Sequence, residues 1–434
     1  MKKYFSLFLI LLVTILLGAC EIKLPTTTNE EKPHNEESQG EKPITNTLPD
    51  HFRKLSNNLV ASDEYTTIPL RVSDVKMFQN FSFQFAKWLF CENKNDLFSG
   101  PSLYYAMAML YMGATDQEIV AILKDLLTYD ASAISGVLDK LYQNNHYKND
   151  AGCCYFANSV WLDYKLDYHQ TYVDKLVNGF NAESFLVSFE STQGKQRILD
   201  WINDNTENLL DLDLENYPID DDLAFMLLNT LYFNNEWNIN YEAVGNKMFY
   251  PTNKEAYLTP FLNNDIYTKY ANKKIGDIEY QIVKEKLKNN NYIYLIMPQS
   301  GSPLDLLNYP YQDVINLTNV KDAYGYIYLP KFSYQAEYEI DEVLKEKGYG
   351  RLFAMVNGYR EIAEDVYISL IKQNTGIVVD EKGVAAAAVT QIVGKFTGVM
   401  DYPTFRFDHP FLYIIADNND IPLFIGTVYE PKVE

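Results

Sequence analysis

Apolar positions recur every three to four residues in the first half of the chain and every two through much of the second. Phe78, Phe81, Phe85, Trp88 and Leu89 share one face of a predicted helix, and Leu103, Met107 and Leu110 share a face of the next, which ends at Gly113. Thr115 is the expected N-cap of a third helix, with Glu118 completing a capping box and Ile119, Ile122, Leu123 and Leu126 as its buried set. A further helix is expected over about 191–210. Residues 223–233 are nearly continuously apolar, the pattern of a strand covered on both faces. Residues 292–297, 325–329, 366–371, 411–415 and 423–428 read as further strands. Helices early, strands late and no regular βαβ alternation predict an α+β domain.

With 434 residues, 47% apolar and 15% aromatic, the chain is long enough for a large core. Beyond residue 70 there is no internal repeat and no linker-like stretch, so one domain over 71–434 is expected. Before it the composition shifts. Residues 25–33 and 35–40 are almost devoid of apolar side chains and cannot bury enough surface to offset ordering entropy, so 20–70 reads as a flexible tether. At the start, Lys2 and Lys3 precede an apolar run over 5–17 that is short for a bilayer span and ends in Leu17-Gly18-Ala19-Cys20. That ending resembles a bacterial lipobox. The resemblance implies a signal peptide over 1–19, a lipid on Cys20 and a chain held at the bacterial cell envelope, facing away from the cytoplasm; an ordinary secretory signal is the alternative.

A net charge of −21 opposes non-specific binding to nucleic acid, and no nucleic-acid partner is expected. Cys91, Cys153 and Cys154 read as small apolar core residues, with one bridge from Cys91 to either neighbour left open. No zinc-protease helix, P-loop or dinucleotide fingerprint is present, and neither a metal nor a cofactor is expected. Among five histidines, His409 sits inside an apolar motif and reads as structural.

One enzymatic pattern occurs. Ser369-Leu370-Ile371-Lys372 matches the S-x-x-K of penicillin-recognising enzymes, with Tyr270-Ala271-Asn272 and Lys395-Phe396-Thr397-Gly398 as loose counterparts of their other motifs. That chemistry needs Ser369 and Lys372 on one face of a helix N-terminus, whereas the surrounding β-branched residues predict a strand that would send them to opposite faces. A serine acyl-enzyme hydrolase is therefore the minor alternative. Glu381-Lys382-Gly383 leads into Val384-Ala385-Ala386-Ala387-Ala388-Val389-Thr390, which fits either an alanine-rich helix or an extended mobile segment.

Five motifs in order resemble the serpin family, over roughly 71–434. They are the run from Asn95 through Ser99-Gly100-Pro101-Ser102; the run from Asn229 to Trp237; Leu329-Pro330-Lys331-Phe332; the Asp380 to Thr390 hinge; and Phe405-Arg406-Phe407-Asp408-His409-Pro410-Phe411-Leu412. The resemblance implies helices around a five-stranded central sheet, further sheets and an exposed reactive loop over about 381–404. It also implies a monomer that traps its partner, a serine or cysteine protease, when the cleaved loop inserts into the sheet and drags the acyl-enzyme away.

The resemblance places the hinge at Glu381, Gly383, Val384, Ala386, Ala388 and Thr390, all small or uncharged beyond the pivot Gly383. The shutter would be Ser99, Ser102, Asn229 and Gln373, the last where many serpins have histidine. The breach would be Trp237 with the Lys331–Glu381 pair. Counting from the hinge places the cleaved bond at Thr397–Gly398, within a window that includes Lys395, Phe396 and Val399. Each would suit a different protease: Lys395 a trypsin-like one, Phe396 a chymotrypsin-like one, Thr397 or Val399 an elastase-like one. The small, uncharged hinge favours an inhibitor over a non-inhibitory serpin.

Overall fold

The computed structural model describes residues 52–56, 67–354, 357–368, 371–384 and 402–432. Its α-helices are α1 (Val72–Leu89), α2 (Gly100–Tyr111), α3 (Gln117–Leu127), α4 (Ala131–Asn144), α5 (Gln170–Phe180), α6 (Thr192–Asn205), α7 (Tyr311–Ile315) and α8 (Ile340–Leu344). The first strands are β1 (Phe52–Lys54), β2 (Leu97–Phe98), β3 (Tyr147–Asn149), β4 (Gly152–Asp163), β5 (Ala182–Val187), β6 (Phe225–Glu236), β7 (Glu242–Phe249) and β8 (Tyr257–Ile275). The remainder are β9 (Ile278–Lys286), β10 (Tyr292–Pro298), β11 (Ala323–Pro330), β12 (Phe332–Glu339), β13 (Lys372–Val379), β14 (Gly383–Val384), β15 (Thr404–Arg406), β16 (Phe411–Ala416) and β17 (Pro422–Val428).

Two mixed sheets result, in an α+β architecture. The first runs β1-β5-β4-β6-β14-β13-β12 with β3 beside β4; the second runs β15-β11-β8-β9-β10-β16-β17-β2 with β7 beside β8. They meet through Phe332 of β12, whose ring lies 5.4 Å from Tyr413 and 6.1 Å from Phe411 on β16. Every residue of β16 and β17 is buried. A second apolar cluster lies by α6, where Trp161 stacks on Phe185 at 4.2 Å and Ile198, Leu199 and Trp201 close over them.

Several expectations change. Phe52–Lys54, assigned to the tether, form an edge strand against β5, because Phe52 stacks on Phe185 at 5.4 Å and Leu55 packs against the core beside it. Residues 366–368 are not a strand; the strand starts at Lys372. β6 is only half-buried from Phe225 to Asn229, not covered on both faces, because a cleft opens beside it. The helix expected over about 191–210 is α6, which stops at Asn205, just before Glu207 and Asn208 turn left-handed. Cys91, Cys153 and Cys154 are all free, and Cys91 is exposed rather than in the core. His409 is exposed, stacked on Tyr250 at 5.0 Å and bonded to Asp408 Oδ1 at 2.7 Å.

The cap of α3 is Asp116, not Thr115. Asp116 Oδ1 accepts from the amides of Glu118 and Ile119 at 3.0 and 3.1 Å, and its other oxygen pairs with Arg351 at 2.9 Å. Thr115 Oγ1 instead accepts from the Arg360 amide at 3.2 Å. Asp116→Ala should therefore lower the urea midpoint clearly more than Thr115→Ala in equilibrium unfolding, and the reverse ranking would overturn the assignment.

Candidate functional site

The site forms where the chain leaves β13 and turns at Asp380. Asp380 Oδ1 accepts from the amides of Lys382 and Gly383 at 2.8 and 3.2 Å, and the Asp380 amide donates to Gly383 O at 3.1 Å. This closes a tight turn that sends the chain back between β13 and β6. Gly383 then pairs with Glu236, while Val384 pairs with Asn235 on one side and Val379 on the other. Gly383 is required here by contact and not by an unusual φ: a Cβ would sit 2.1 Å from the Asn235 carbonyl oxygen. Its expected part as a conformational pivot gives way, in this conformation, to close backbone approach.

Trp237 is fully buried at the head of this slot. Its Nε1 donates to Asp380 O at 2.8 Å and its amide to Lys382 O at 2.7 Å, while the Tyr241 amide donates to Glu381 O at 2.8 Å. Lys331 Nζ pairs with Glu381 Oε1 on the outer side. Thus Trp237, Lys331 and Glu381 come together at the head of the slot, with Asp380 as a further member. Asp380 carried no local signal beyond standing before Glu381-Lys382-Gly383.

At the other end of the slot, α2 holds both long strands. The Ser99 amide donates to Gln373 Oε1 at 3.1 Å and Gln373 Nε2 donates back to Ser99 O at 3.0 Å. Ser99 Oγ caps α2 by accepting from the Ser102 amide at 3.3 Å, and Ser102 Oγ donates to Asn229 O at 3.5 Å. Asn229 Nδ2 donates to Asn158 Oδ1, and Asn158 Nδ2 to Phe180 O at 2.8 Å. Ser99, Ser102, Asn229 and Gln373 are therefore one cluster, and Asn158 on β4 extends it. Asn158 was readable only as a polar residue within an apolar strand. Gly100, between Ser99 and Pro101, lies so close to α1 that a Cβ would meet Ser82 Oγ at 1.9 Å.

Between these ends, β6 has no described ladder to β13 except through β14. The space left there is about 20 Å³, lined by Thr230 and Tyr232 on one side and by Thr375 and Ile377 on the other, with Leu209 and Leu210 beside it. A larger cavity of about 320 Å³ opens at and beyond the α2 clasp, lined by Phe225, Leu227 and Asn229 and by Ile368, Ile371 and Gln373.

Ala386, Ala388, Thr390, Lys395, Phe396, Thr397, Gly398, Val399 and Cys20 lie outside the described residues, as does Ser369. Lys372 is in β13, with Nζ 2.5 Å from Glu337 Oε1 and 5.0 Å from the Tyr217 ring centroid. It stands at no helix N-terminus, so the arrangement the S-x-x-K chemistry needs is not formed. Among the described residues no cluster of three or more His, Cys, Asp or Glu could hold a metal ion, and no helix is long and apolar enough to cross a membrane.

The family model for serpins, serine protease inhibitors, matches residues 76–431. The chain belongs to the serpin family. Members of this family are typically protease inhibitors. Iripin-3 of Ixodes ricinus is 26% identical over 369 residues, covering 77% of this chain and 88% of that protein. Alpha-1-antiproteinase of Rattus norvegicus is 24% identical over 432 residues, covering 96% and 97%. Among solved structures, the thermophilic serpin Tengpin in its native state has a TM-score of 0.74 at 23% identity, covering 86% of this chain and 97% of that one. Thyroxine-binding globulin in complex with thyroxine has a TM-score of 0.72 at 16% identity, covering 83% and 98%.

Behind Trp237 sits a buried acid. Tyr241 packs on Trp237 at 4.6 Å, and its hydroxyl has no described hydrogen-bond partner; nor does one oxygen of the fully enclosed Glu285 on β9. Burial pushes the Glu285 carboxyl from its ordinary 4.5 up to about 8. The native state then keeps a proton that the unfolded chain has lost, so stability is full below pH 4.5, falls as pH rises to about 8, and is flat beyond. Burial moves Asp417 only to about 6 and lowers His146 to about 4. Between pH 6.5 and 8, the loss therefore falls to Glu285, about 2 kcal/mol at 1.36 kcal/mol per pH unit. Urea unfolding across that window should show the decline in the native protein and a flat profile in Glu285→Gln; an equal decline in both would refute the assignment.

Proposed function

We propose that this serpin is a suicide inhibitor of serine or cysteine proteases, acting as a monomer and tethered outside the cytoplasm of a bacterial cell by a lipid on Cys20. The observation that carries the inhibitory reading is the seat of Gly383 and Val384, a two-residue strand already placed between β6 and β13, below which the described residues make no ladder between those two strands. The following residues, Ala385 to Thr390, are small and uncharged and suit continuation of that strand. Each added pair of residues would exchange water for ladder bonds, one residue bonding to each side, worth roughly 0.5–1.5 kcal/mol per bond.

In this reading the protease hydroxyl or thiol attacks the carbonyl carbon of the residue before the cleaved bond, placed at Thr397 with Gly398 as the leaving amine. The bond to Gly398 breaks, and an ester or thioester joins the protease to the new C-terminus. Insertion then pulls that linkage, and the protease with it, along the sheet. This distorts the oxyanion hole on which deacylation depends.

Mixing the protein with trypsin, chymotrypsin and elastase should give a covalent band of summed mass on a denaturing gel, with release of the C-terminal peptide whose sequence identifies the cleaved bond. Cleavage with a large gain in thermal stability and no complex would identify a non-inhibitory serpin instead. Ala386→Arg should turn the inhibitor into a substrate, lowering the covalent yield at least tenfold; an unchanged yield would sink the insertion mechanism. Cys20→Ser should release the protein from the membrane fraction when it is expressed in a bacterium, and retention there would exclude the lipid tether.

A further inference from the structure

The second sheet turns an unusual face to solvent. Along β11 the residues alternate, with Gly325 and Ile327 buried and Tyr324, Tyr326 and Tyr328 facing outward. On β8, Tyr267 lies opposite Tyr324 in register, with ring centroids 4.7 Å apart. Tyr402 completes the group, 5.3 Å from Tyr324 and 6.0 Å from Tyr326. Tyr324 and Tyr267 are 55% and 52% exposed, so these rings contribute little to the core. At the near end, the exposed Arg406 guanidinium lies 4.4 Å from the Tyr328 ring centroid. A contiguous group of tyrosines with an arginine beside it has the composition of a protein-binding hot spot. Tyrosine brings large area at a small entropic cost, and both residue types are enriched where interfaces are strongest.

Position names the occupant. Tyr402 is the first described residue after 385–401, and Pro403 O accepts from the Tyr326 amide at 2.9 Å, so the segment ends on this face. From Gly398, the expected far side of the cleaved bond, four residues of extended chain reach at most about 14 Å. A standard interface covers about 800 Å² per partner, equivalent to a disc roughly 16 Å in radius. A protease engaged at that bond would thus overlie the tyrosines. A second copy of this chain is disfavoured, because each copy carries a net charge of −21.

We infer that the outward face formed by Tyr267, Tyr324, Tyr326 and Tyr402 docks the body of the protease attacked at the adjoining segment. This rests on the inhibitory reading above, and it adds a determinant of which protease is captured and how fast.

The test compares the native protein with Tyr267→Ala/Tyr324→Ala and with Tyr324→Phe, using whichever of trypsin, chymotrypsin and elastase the native protein engages fastest. The double variant should associate at least tenfold more slowly, with the inhibitor consumed per protease unchanged; Tyr324→Phe should stay within about twofold. A free peptide of residues 385–404 should be cut at a rate the double variant's own loop approaches. Equal association rates for the native protein and the double variant, with both folded by thermal unfolding, would overturn the inference. So would sedimentation showing a native dimer that the double variant loses, or glycan-array binding that the double variant loses while its protease rate is unchanged. Should no covalent complex form at all, the inhibitory reading fails, and the rate of loop cleavage in native and variant protein still decides whether the face docks a protease.

Discussion

A β-strand must find partners for its backbone N–H and C=O groups on both sides or leave them to water, and among the described residues β6 meets that requirement along its length on one side only. Against β4 it is paired from Gly152–Asn235 to Leu162–Phe225. On the other side its described partners are Gly383 and Val384. β13 is in the mirror situation, laddered to β12 from Phe332–Val379 to Glu339–Lys372 and on its inner side only at Val379–Val384. Two long strands thus face one another across a ladder of which the described chain fills the top rung. The unfilled remainder is free energy the described arrangement does not collect, and it is available to any segment small enough to enter.

The strands must still be held in place without each other. At the head of the slot this is done by main-chain bonds from Trp237 and Tyr241 to Asp380, Glu381 and Lys382. At the foot, the N-terminus of α2 bonds β13 through Gln373 and β6 through Asn229. Both clasps use a few specific bonds from outside the gap, so neither occupies the ladder positions themselves. Strands tied this way can separate in the middle without unravelling at either end. The partnerless oxygens of Glu285 and Tyr241 behind Trp237 fit the same pattern, since a region that must open is not one where every polar group need be satisfied.

What could be read from the chain alone followed from locality. The helical stripes of α1 and α2 and the apolar runs of β10, β16 and β17 are decided by neighbours in sequence, and they fell where periodicity placed them. The resemblance brought Trp237, Lys331 and the two serines into consideration because their motifs are contiguous, and Gln373 by its spacing from Gly383. Thr115 and Asp116 show the limit. Either can cap a helix, and the choice is settled by Arg351, which only the tertiary fold brings near. Asn158 and Glu285 are alike in this: Asn158 is a polar residue in an apolar strand until the fold brings Asn229 to it, and Glu285 is one of several polar residues of β9 until the fold buries it near Tyr241. Lys372 failed as a catalytic lysine for the same reason, since Glu337 and Tyr217 reach it from elsewhere in the chain.

The two ends of the segment between the sheets bear on why cutting would matter in the proposed mechanism. One end enters the first sheet at Val384; the other joins the second at Thr404, paired with Tyr326. Both lie toward the same end of the molecule, for Arg406 is level with Tyr328, close in sequence to Lys331, whose Nζ pairs with Glu381. Filling the slot beside the rest of β6, from Asn234 down to Phe225, takes about ten residues at roughly 3.3 Å each. The nineteen residues of 385–403 would be spent descending and climbing back, with none left for the turn. While both ends are fixed the slot cannot be filled, however favourable its ladder. Severing the segment near its far end removes that geometric restraint and leaves about a dozen residues free to follow Val384. In the proposed mechanism the length of the segment, no less than its alanines, makes filling the slot wait on release of one end, which cleavage would supply.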